Sequence, residues 1–312
     1  MKIVIALGGN ALAKGKQNGT YQELAGNIAS ACGEILRVVD QGHQLVIAHG
    51  NGPQVGNLAV QQESTDEVPS LPLHVLDAMT QGEVGYLIQR ELGNRLRALG
   101  SKRPVVSVVS QVLVDQSDPA FSSPSKPIGP FYSKAESESR AKRDGLTFRK
   151  VGDGPKPYRR VVPSPDPKGI VEADVISRLL SSSCIVVAGG GGGIPVARGA
   201  DGRLVGVDAV VDKDLCAERI AESIRADMLL ILTDVKKVKV DYRTQAEKDI
   251  DVVTVAEAKR LLEMGQFPPG SMGPKILACI RFVEWGGKPA TIASLQEAAE
   301  ALNGSAGTKV VP

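Results

Sequence analysis

Apolar positions along the chain follow two rhythms. Continuous runs rich in Val, Ile and Leu occupy 2–7, 44–48, 104–114, 184–188, 228–233 and 289–293, and they read as strands too short to be buried helices. Between them, apolar residues recur at helical spacing. Segment 81–99 carries Val84, Leu87, Ile88, Leu92, Leu96 and Leu99 on one stripe and stops at Gly100. Segment 213–225 repeats Cys216, Ile220 and Ile224 on one face. Segment 274–285 carries Ile276, Cys279, Ile280 and Val283, with Pro274 at its first position and Gly286-Gly287 at its end. Strands that are apolar throughout, rather than alternating, predict burial on both faces. The fold class is therefore α/β, a largely parallel sheet between helices.

Two stretches break the rhythm. Residues 116–135 and 152–169 are rich in Pro, Ser and Gly and bracket a short charged helix near 134–145. We read 116–165 as a flap protruding from the sheet, because a long structured loop in a compact domain usually has a function. The alternative is a passive surface insertion, but this segment retains Phe121, Ile128, Phe131 and Tyr132.

Three predicted strands run straight into glycine-rich turns. Ile3 to Ala6 leads into Leu7-Gly8-Gly9-Asn10, and Leu45 to Ala48 into His49-Gly50-Asn51-Gly52-Pro53. Cys184 to Ala188 leads into five consecutive glycines, Gly189 to Gly193. A backbone without Cβ atoms can bring its N–H groups against a charged ligand. Any one turn is equally well explained as loop punctuation. Three together predict a polyanion site along one sheet edge.

The common nucleotide fingerprints are absent. No G-x-x-x-x-G-K-[ST] occurs, and Ile194 occupies the place where G-x-G-x-x-G would need its last glycine. Lysines carry more. Lys275 follows Pro274 and so falls in the first turn of a helix, where the dipole repels a cation; a bound anion would compensate, as would simple extension into water. Lys213 lies among Asp208, Asp212 and Asp214 at another helix start, an arrangement that fits a capping cluster or a lysine steered toward a magnesium-bound phosphate. Lys126 sits between Pro124 and Pro127, which would present one charge from a stiff loop. Arg159-Arg160 beside Pro163 reads as a salt-bridged hinge, with a paired anion clamp as the alternative.

Composition narrows the partners. The 312 residues include 37 basic and 35 acidic ones, a formal charge of +2, with no basic block, and aromatics make up only 4%. Neither nucleic acid nor a membrane surface is expected as a partner. Cys32, Cys184, Cys216 and Cys279 are far apart, and His43, His49 and His74 lack ligand spacing, so neither a zinc site nor a disulfide framework is expected. Met1-Lys2 runs directly into a strand and no apolar run reaches membrane-spanning length, which predicts a cytoplasmic protein.

The segments ALGGNAL (6–12), HGNGPQVG (49–56), SKPIGPFY (125–132), RRVVPSP (159–165), GGGGIPV (190–196), GVDAVVDKDL (206–215), LILTDV (230–235) and GSMGPK (270–275) together resemble the amino acid kinase family, most closely its carbamate kinases. They span nearly the whole chain in order. The resemblance implies a three-layer αβα sandwich with an open, mostly parallel eight-stranded sheet and a protruding flap, usually as a homodimer. It implies one domain, with an acceptor lobe over about 1–180 and a nucleotide lobe over about 181–312. Lys126, Lys213 and Lys275 would surround the transferred phosphoryl group, held in place by Asp214. Gly8, Gly9, Asn10, Gly50, Asn51 and Gly52 would serve the carbamate and phosphoryl group. Gly190, Gly191, Gly192 and Gly193, with Thr233, Asp234 and Met272, would line the nucleotide side. ATP or ADP would carry magnesium on its phosphates, with no dedicated protein metal site. Two departures stand out. Lys236-Lys237-Val238-Lys239 replaces a stretch that usually brings an aromatic residue near the adenine, and Gly152 to Tyr158 replaces the usual Gly-Arg-Gly-Trp before the double arginine. Rival readings are a sibling kinase for a larger acid and a non-catalytic nucleotide-binding regulator. The latter would be expected to lose a lysine or Asp214.

Overall fold

The computed structural model describes residues 1–312 except 13–16, 18, 40 and 66, and leaves the side chains of Asn10 and Ala11 undescribed. An eight-stranded sheet forms the centre: β1 (Lys2–Leu7), β2 (Gln44–His49), β3 (Val105–Ser107), β4 (Ile185–Val187), β5 (Met228–Thr233), β6 (Val252–Thr254), β7 (Ala290–Ser294) and β8 (Thr308–Val311). Their spatial order is β6-β8-β7-β5-β1-β2-β4-β3. Six strands are parallel; β8 pairs antiparallel with β7 and parallel with β6, so these two strands at one end of the sheet run the other way.

The period-two alternation of side chains divides each buried strand between two cores. Val4, Ala6, Val46, Ala48, Leu229 and Ile231 pack beneath helices Lys213–Ser223 and Met272–Gly286. Ile3, Ile5, Leu7, Leu45, Ile47, Leu230 and Leu232 pack against helices Tyr21–Val39 and Leu73–Ala98. Both faces are covered, as continuous apolar strands require. Among the described residues, no helix is long and apolar enough to cross a membrane.

One expected strand divides. Segment 104–114 forms β3 and then a separate strand, Gln111–Leu113, which joins Ile194–Arg198, Leu204–Gly206 and Gly169–Ile170 in a four-stranded sheet. The break centres on buried Ser110, whose N–H donates to the Gln81 side chain rather than to a ladder partner. The helix expected over 81–99 begins earlier, at Leu73, and Leu99 caps it in an exposed position.

The flap is an ordered subdomain. Strands Lys126–Tyr132, Phe148–Lys150 and Tyr158–Val162 form an antiparallel sheet beside helix Lys134–Asp144. A capping box of Ser133 and Glu136 starts that helix, and Gly145 ends it at φ 67°. The flap sits on helix Gly52–Gln62. A Cβ added to Gly56 would lie 2.4 Å from the Gly129 Cα, so only glycine permits this approach. Ile128 and Val162 complete the contact with Val55, Ala59, Leu73, Leu76 and Val210. Arg140 and Arg160 both bind Glu63 at the helix end, at 2.6 and 2.9 Å, which fits the hinge reading of Arg160. Arg159 instead donates twice to the Gly129 carbonyl and lies over Phe131.

Candidate active site

Parallel pairing puts the ends of β1, β2 and β5 side by side, with Leu7 opposite both His49 and Leu232. The residues that follow these strands therefore share one sheet edge. Gly8 donates its N–H to the Leu232 carbonyl at 2.7 Å. A Cβ on Gly50 would lie 3.5 Å from both the Gly9 Cα and the Lys213 Cδ, so these turns close around a lysine.

Three lysines from three distant segments converge on two aspartates. Lys213 Nζ donates to Asp214 Oδ1 at 2.6 Å and Lys275 Nζ to Asp214 Oδ2 at 3.0 Å. Lys126, at the start of the flap's first strand, reaches Asp212 Oδ2 at 2.6 Å. Asp212 also caps helix Lys213–Ser223, its Oδ1 accepting the Asp214 N–H at 2.9 Å. The capping and charge-steering readings of this cluster are thus both met by one residue. Lys275 stands in the first turn of helix Met272–Gly286, where Asp214 and the Ser271 carbonyl offset the unfavourable dipole.

The centre is buried and electropositive. Burial opposes ionisation of Asp212, yet the neighbouring Lys126 and Lys213 charges hold its pKa below the ordinary carboxylate range. Burial depresses the Lys213 ammonium, with Asp214 pulling the other way and Lys275 adding repulsion. Lys275 also meets a burial penalty, but Asp214 overrides it and raises its pKa. Three ammonium groups against two carboxylates leave a net positive charge.

Two regions flank this centre. On one side a cleft of about 390 Å³ is bordered by Gly8, Gly9, Thr233, Asp234, Tyr242, Phe267, Met272 and Lys275. Thr233 Oγ1 donates to Asp234 Oδ1 at 3.0 Å. Tyr242, with Lys237 and Lys239, supplies this cleft with the aromatic residue that the Lys236–Lys239 segment lacks.

On the other side the structure is closed. Gly190, Gly191, Gly192 and Gly193, expected on the nucleotide side, are all buried and do not border the cleft. Instead, added Cβ atoms would meet the His49 ring at 2.5 Å from Gly190, Asn51 at 2.2 Å from Gly191 and the Val211 carbonyl at 2.1 Å from Gly192. Gly191, Gly192 and Gly193 have φ of 66°, 99° and 82°, so they permit tight packing against Asn51, Val211 and Val112 in turn. His49 donates through Nδ1 to the Gly50 carbonyl, and complete burial lowers its pKa to about 4, which keeps it neutral. Asn51 precedes helix Gly52–Gln62 without capping it, because its amide turns to Asp77 and Thr80. Gln81 then ties the glycine run down, donating to the Ser110 and Gly190 carbonyls at 3.0 Å each.

Of the residues expected from sequence, Lys213, Lys275 and Asp214 meet directly, and Lys126 joins through Asp212. Gly8, Gly9, Gly50, Asn51 and Gly52 follow β1 and β2 along the same edge. The Asn10 side chain lies outside the described residues. Sequence reading missed Asp77, Thr80 and Gln81. Their signal was present as polar residues extending, toward the N-terminus, the stripe that begins with Val84.

This arrangement, a mostly parallel sheet with a lysine-lined edge between a cleft and a tightly packed glycine run, defines a phosphotransferase of the amino acid kinase type. The model of the amino acid kinase family matches residues 1–294. A carbamate kinase of Thermococcus kodakarensis is 49% identical over 99% of both chains, and one of Pyrococcus furiosus is 46% identical over 100% of this chain and 99% of its own. The structure of a Giardia lamblia carbamate kinase bound to AMP-PNP superposes with a TM-score of 0.91 at 39% identity, covering 99% of this chain and 98% of that one. The chain belongs to the amino acid kinase family, and within it to the carbamate kinases.

Proposed function

We propose that the protein transfers a phosphoryl group reversibly between ATP and carbamate, so that ADP and carbamoyl phosphate give ATP and carbamate, which breaks down to ammonia and carbon dioxide. The observation that carries this reading is the convergence of Lys126, Lys213 and Lys275 on Asp212 and Asp214. Phosphoryl transfer needs positioning and charge stabilisation more than covalent help, and a positive centre between two binding regions offers both. Transfer is direct and in line in this account. Cys216 and Cys279 are buried with thiols raised far above their ordinary pKa, and His49 is buried and turned to a backbone carbonyl, so none is poised as a phosphoryl carrier.

The nucleotide occupies the cleft beside Thr233, Asp234, Tyr242 and Met272; that a Giardia relative was solved bound to AMP-PNP supports a nucleotide as ligand. Asp212 and Asp214 are engaged by lysines, so a magnesium ion would ride on the nucleotide phosphates, where it would neutralise charge. The acceptor is small. The glycine run packs tightly onto His49 and Asn51, which supports a small acceptor. In this reading the first half of the chain, with the flap, mainly serves the acceptor, and the second half mainly the nucleotide. The family's homodimer belongs to it as well, supported by exposed Tyr21, Met79 and Tyr86, with Arg90 joining the two tyrosine hydroxyls.

The test is ATP formation from ADP with carbamoyl phosphate, acetyl phosphate or an acetylated amino acid phosphate. Rapid, magnesium-dependent ATP formation favouring carbamoyl phosphate is expected. ADP binding without any ATP from carbamoyl phosphate would overturn the assignment.

A further inference from the structure

We propose that Thr80 and Asp77 lock the side-chain amide of Asn51 in one orientation, and that this lock makes the acceptor pocket prefer an N–H₂ group over a methyl group. The inference rests on the carbamate reading and adds to it the device that would choose carbamate among small planar acids.

All three residues are essentially inaccessible, at 2% exposure for Asn51, 1% for Asp77 and 0% for Thr80. Helix Leu73–Ala98 places Asp77 and Thr80 one turn apart on the face turned toward Asn51. A hydroxyl has one proton, and Thr80 donates it to the Asp77 backbone carbonyl at 2.8 Å. At the 2.8 Å contact with Asn51, the Thr80 oxygen therefore has only lone pairs to offer. The Asn51 atom facing it must be Nδ2, not Oδ1. The second Nδ2 proton goes to Asp77 Oδ1 at 3.0 Å. Both donors of the amide are spent inside the protein.

That leaves Oδ1, to which no described residue donates. It lies against the glycine run, 2.8 Å from where a Gly191 Cβ would stand, and the preceding Gly50 abuts Lys213. Asn51 thus holds an acceptor locked against rotation beside the lysine centre. A carbamoyl N–H₂ can donate to it. A methyl group of the same size cannot, and would leave a desolvated oxygen unpaired, which is how polar sites reject isosteres. A flipped amide would set donor against donor. Burial pushes the Asp77 carboxyl well above the ordinary carboxylate range, opposed by its bond from Asn51, so asparagine is the fitting isostere of its neutral form.

The experiment compares ATP formation from carbamoyl phosphate and acetyl phosphate at saturating magnesium-ADP, for wild type, Thr80→Val, Thr80→Ser, Asp77→Asn and Asp77→Leu. Hydrogen exchange of the Asn51 side-chain amide gives a readout independent of activity. The wild type should protect both Nδ2 protons and prefer carbamoyl phosphate. Thr80→Val should raise KM for carbamoyl phosphate about 10- to 100-fold and reduce the carbamoyl-to-acetyl preference by a similar factor, with KM for ADP unmoved. Thr80→Ser and Asp77→Asn should restore protection and preference. Asp77→Leu removes the second acceptor and gives the same reading should Thr80→Val fail to fold. Equal losses with both phosphates, or an intact preference in Thr80→Val, would reduce Thr80 to a structural role and overturn the proposal. Unprotected Asn51 protons in the wild type would overturn the lock itself. Protected protons in a wild type that makes no ATP from carbamoyl phosphate would instead overturn the acceptor reading, and the selection with it.

Discussion

The two sides of the lysine centre are built on opposite principles. The side proposed for the acceptor is tightly packed, backbone on side chain: the glycine run lies on His49, Asn51 and Val211, and Gln81 pins it through the Gly190 carbonyl. The side proposed for the nucleotide is an open cleft, where Tyr242 and Lys237 project from loops. A small acceptor offers few atoms to grip, so discrimination has to come from a rigid cavity that rejects anything misshapen. A nucleotide offers rings, sugar and phosphates, and a more accommodating surface suffices. The two meet at Asp214, which holds one lysine on each of its oxygens.

The most damaging single change should fall at the junction. Lys126→Ala removes the flap's charge from the centre and should cut turnover by a factor of about 10²–10³ while ADP binding holds, read by calorimetry beside steady-state rates. Lost ADP binding with turnover preserved in the remaining complex would move Lys126 to the other ligand.

A pair of glycine substitutions sharpens the contrast between the sides. Gly191→Ala combines a left-handed backbone at φ 66° with a Cβ 2.2 Å from Asn51, and should cost roughly 2–4 kcal/mol of stability. Gly270→Ala, at the cleft, has nothing within 4 Å of the new Cβ and should melt within a degree or two of wild type. Equal costs would mean that the acceptor side is no more tightly determined than the cleft. Next in size, Tyr242→Ala should raise KM for ADP about tenfold and leave KM for carbamoyl phosphate in place, since stacked aromatics contribute roughly 1–3 kcal/mol per base.

The smallest effect concerns a second buried carboxylate on the helix that carries Lys213. Glu218 is as buried as Asp214, but neither of its oxygens has a hydrogen-bond partner among the described residues. Burial raises its pKa to about 7, with Arg219 pulling the other way. A folded-state pKa above the unfolded one means that stability is fully present below about pH 4.5 and is lost as pH rises through 7. Glu218→Gln should therefore raise Tm by a few degrees at pH 8 and change little at pH 4.

Sequence patterning showed the molecule's frame and half of its chemistry. Strands β1, β2 and β4 were plain because each has an apolar core and runs into a glycine-rich turn. Strands β6 and β8, at one end of the sheet, were not: Val252 and Thr254 of β6 are exposed, and such short runs carry no periodic signal. Lysines so far apart in the chain carry no spacing that reports their convergence; only the motif resemblance joined them. Asp212 was hidden in plain view, since a helix cap and a lysine partner look alike in sequence. The glycine run was read as a phosphate cradle because permissive backbone is common to both uses. What the fold adds is the run's close packing on His49, Asn51, Val211 and Val112, which its sequence does not report.

The claim that joins these observations is that the phosphoryl group passes directly across the lysine centre from one side to the other. The stereochemical course at phosphorus tests it, using ATP made chiral at the γ-phosphate by oxygen isotopes and sulfur. Direct in-line transfer predicts inversion of configuration in the carbamoyl thiophosphate formed; net retention, the mark of two successive displacements through a phosphoenzyme, would contradict it.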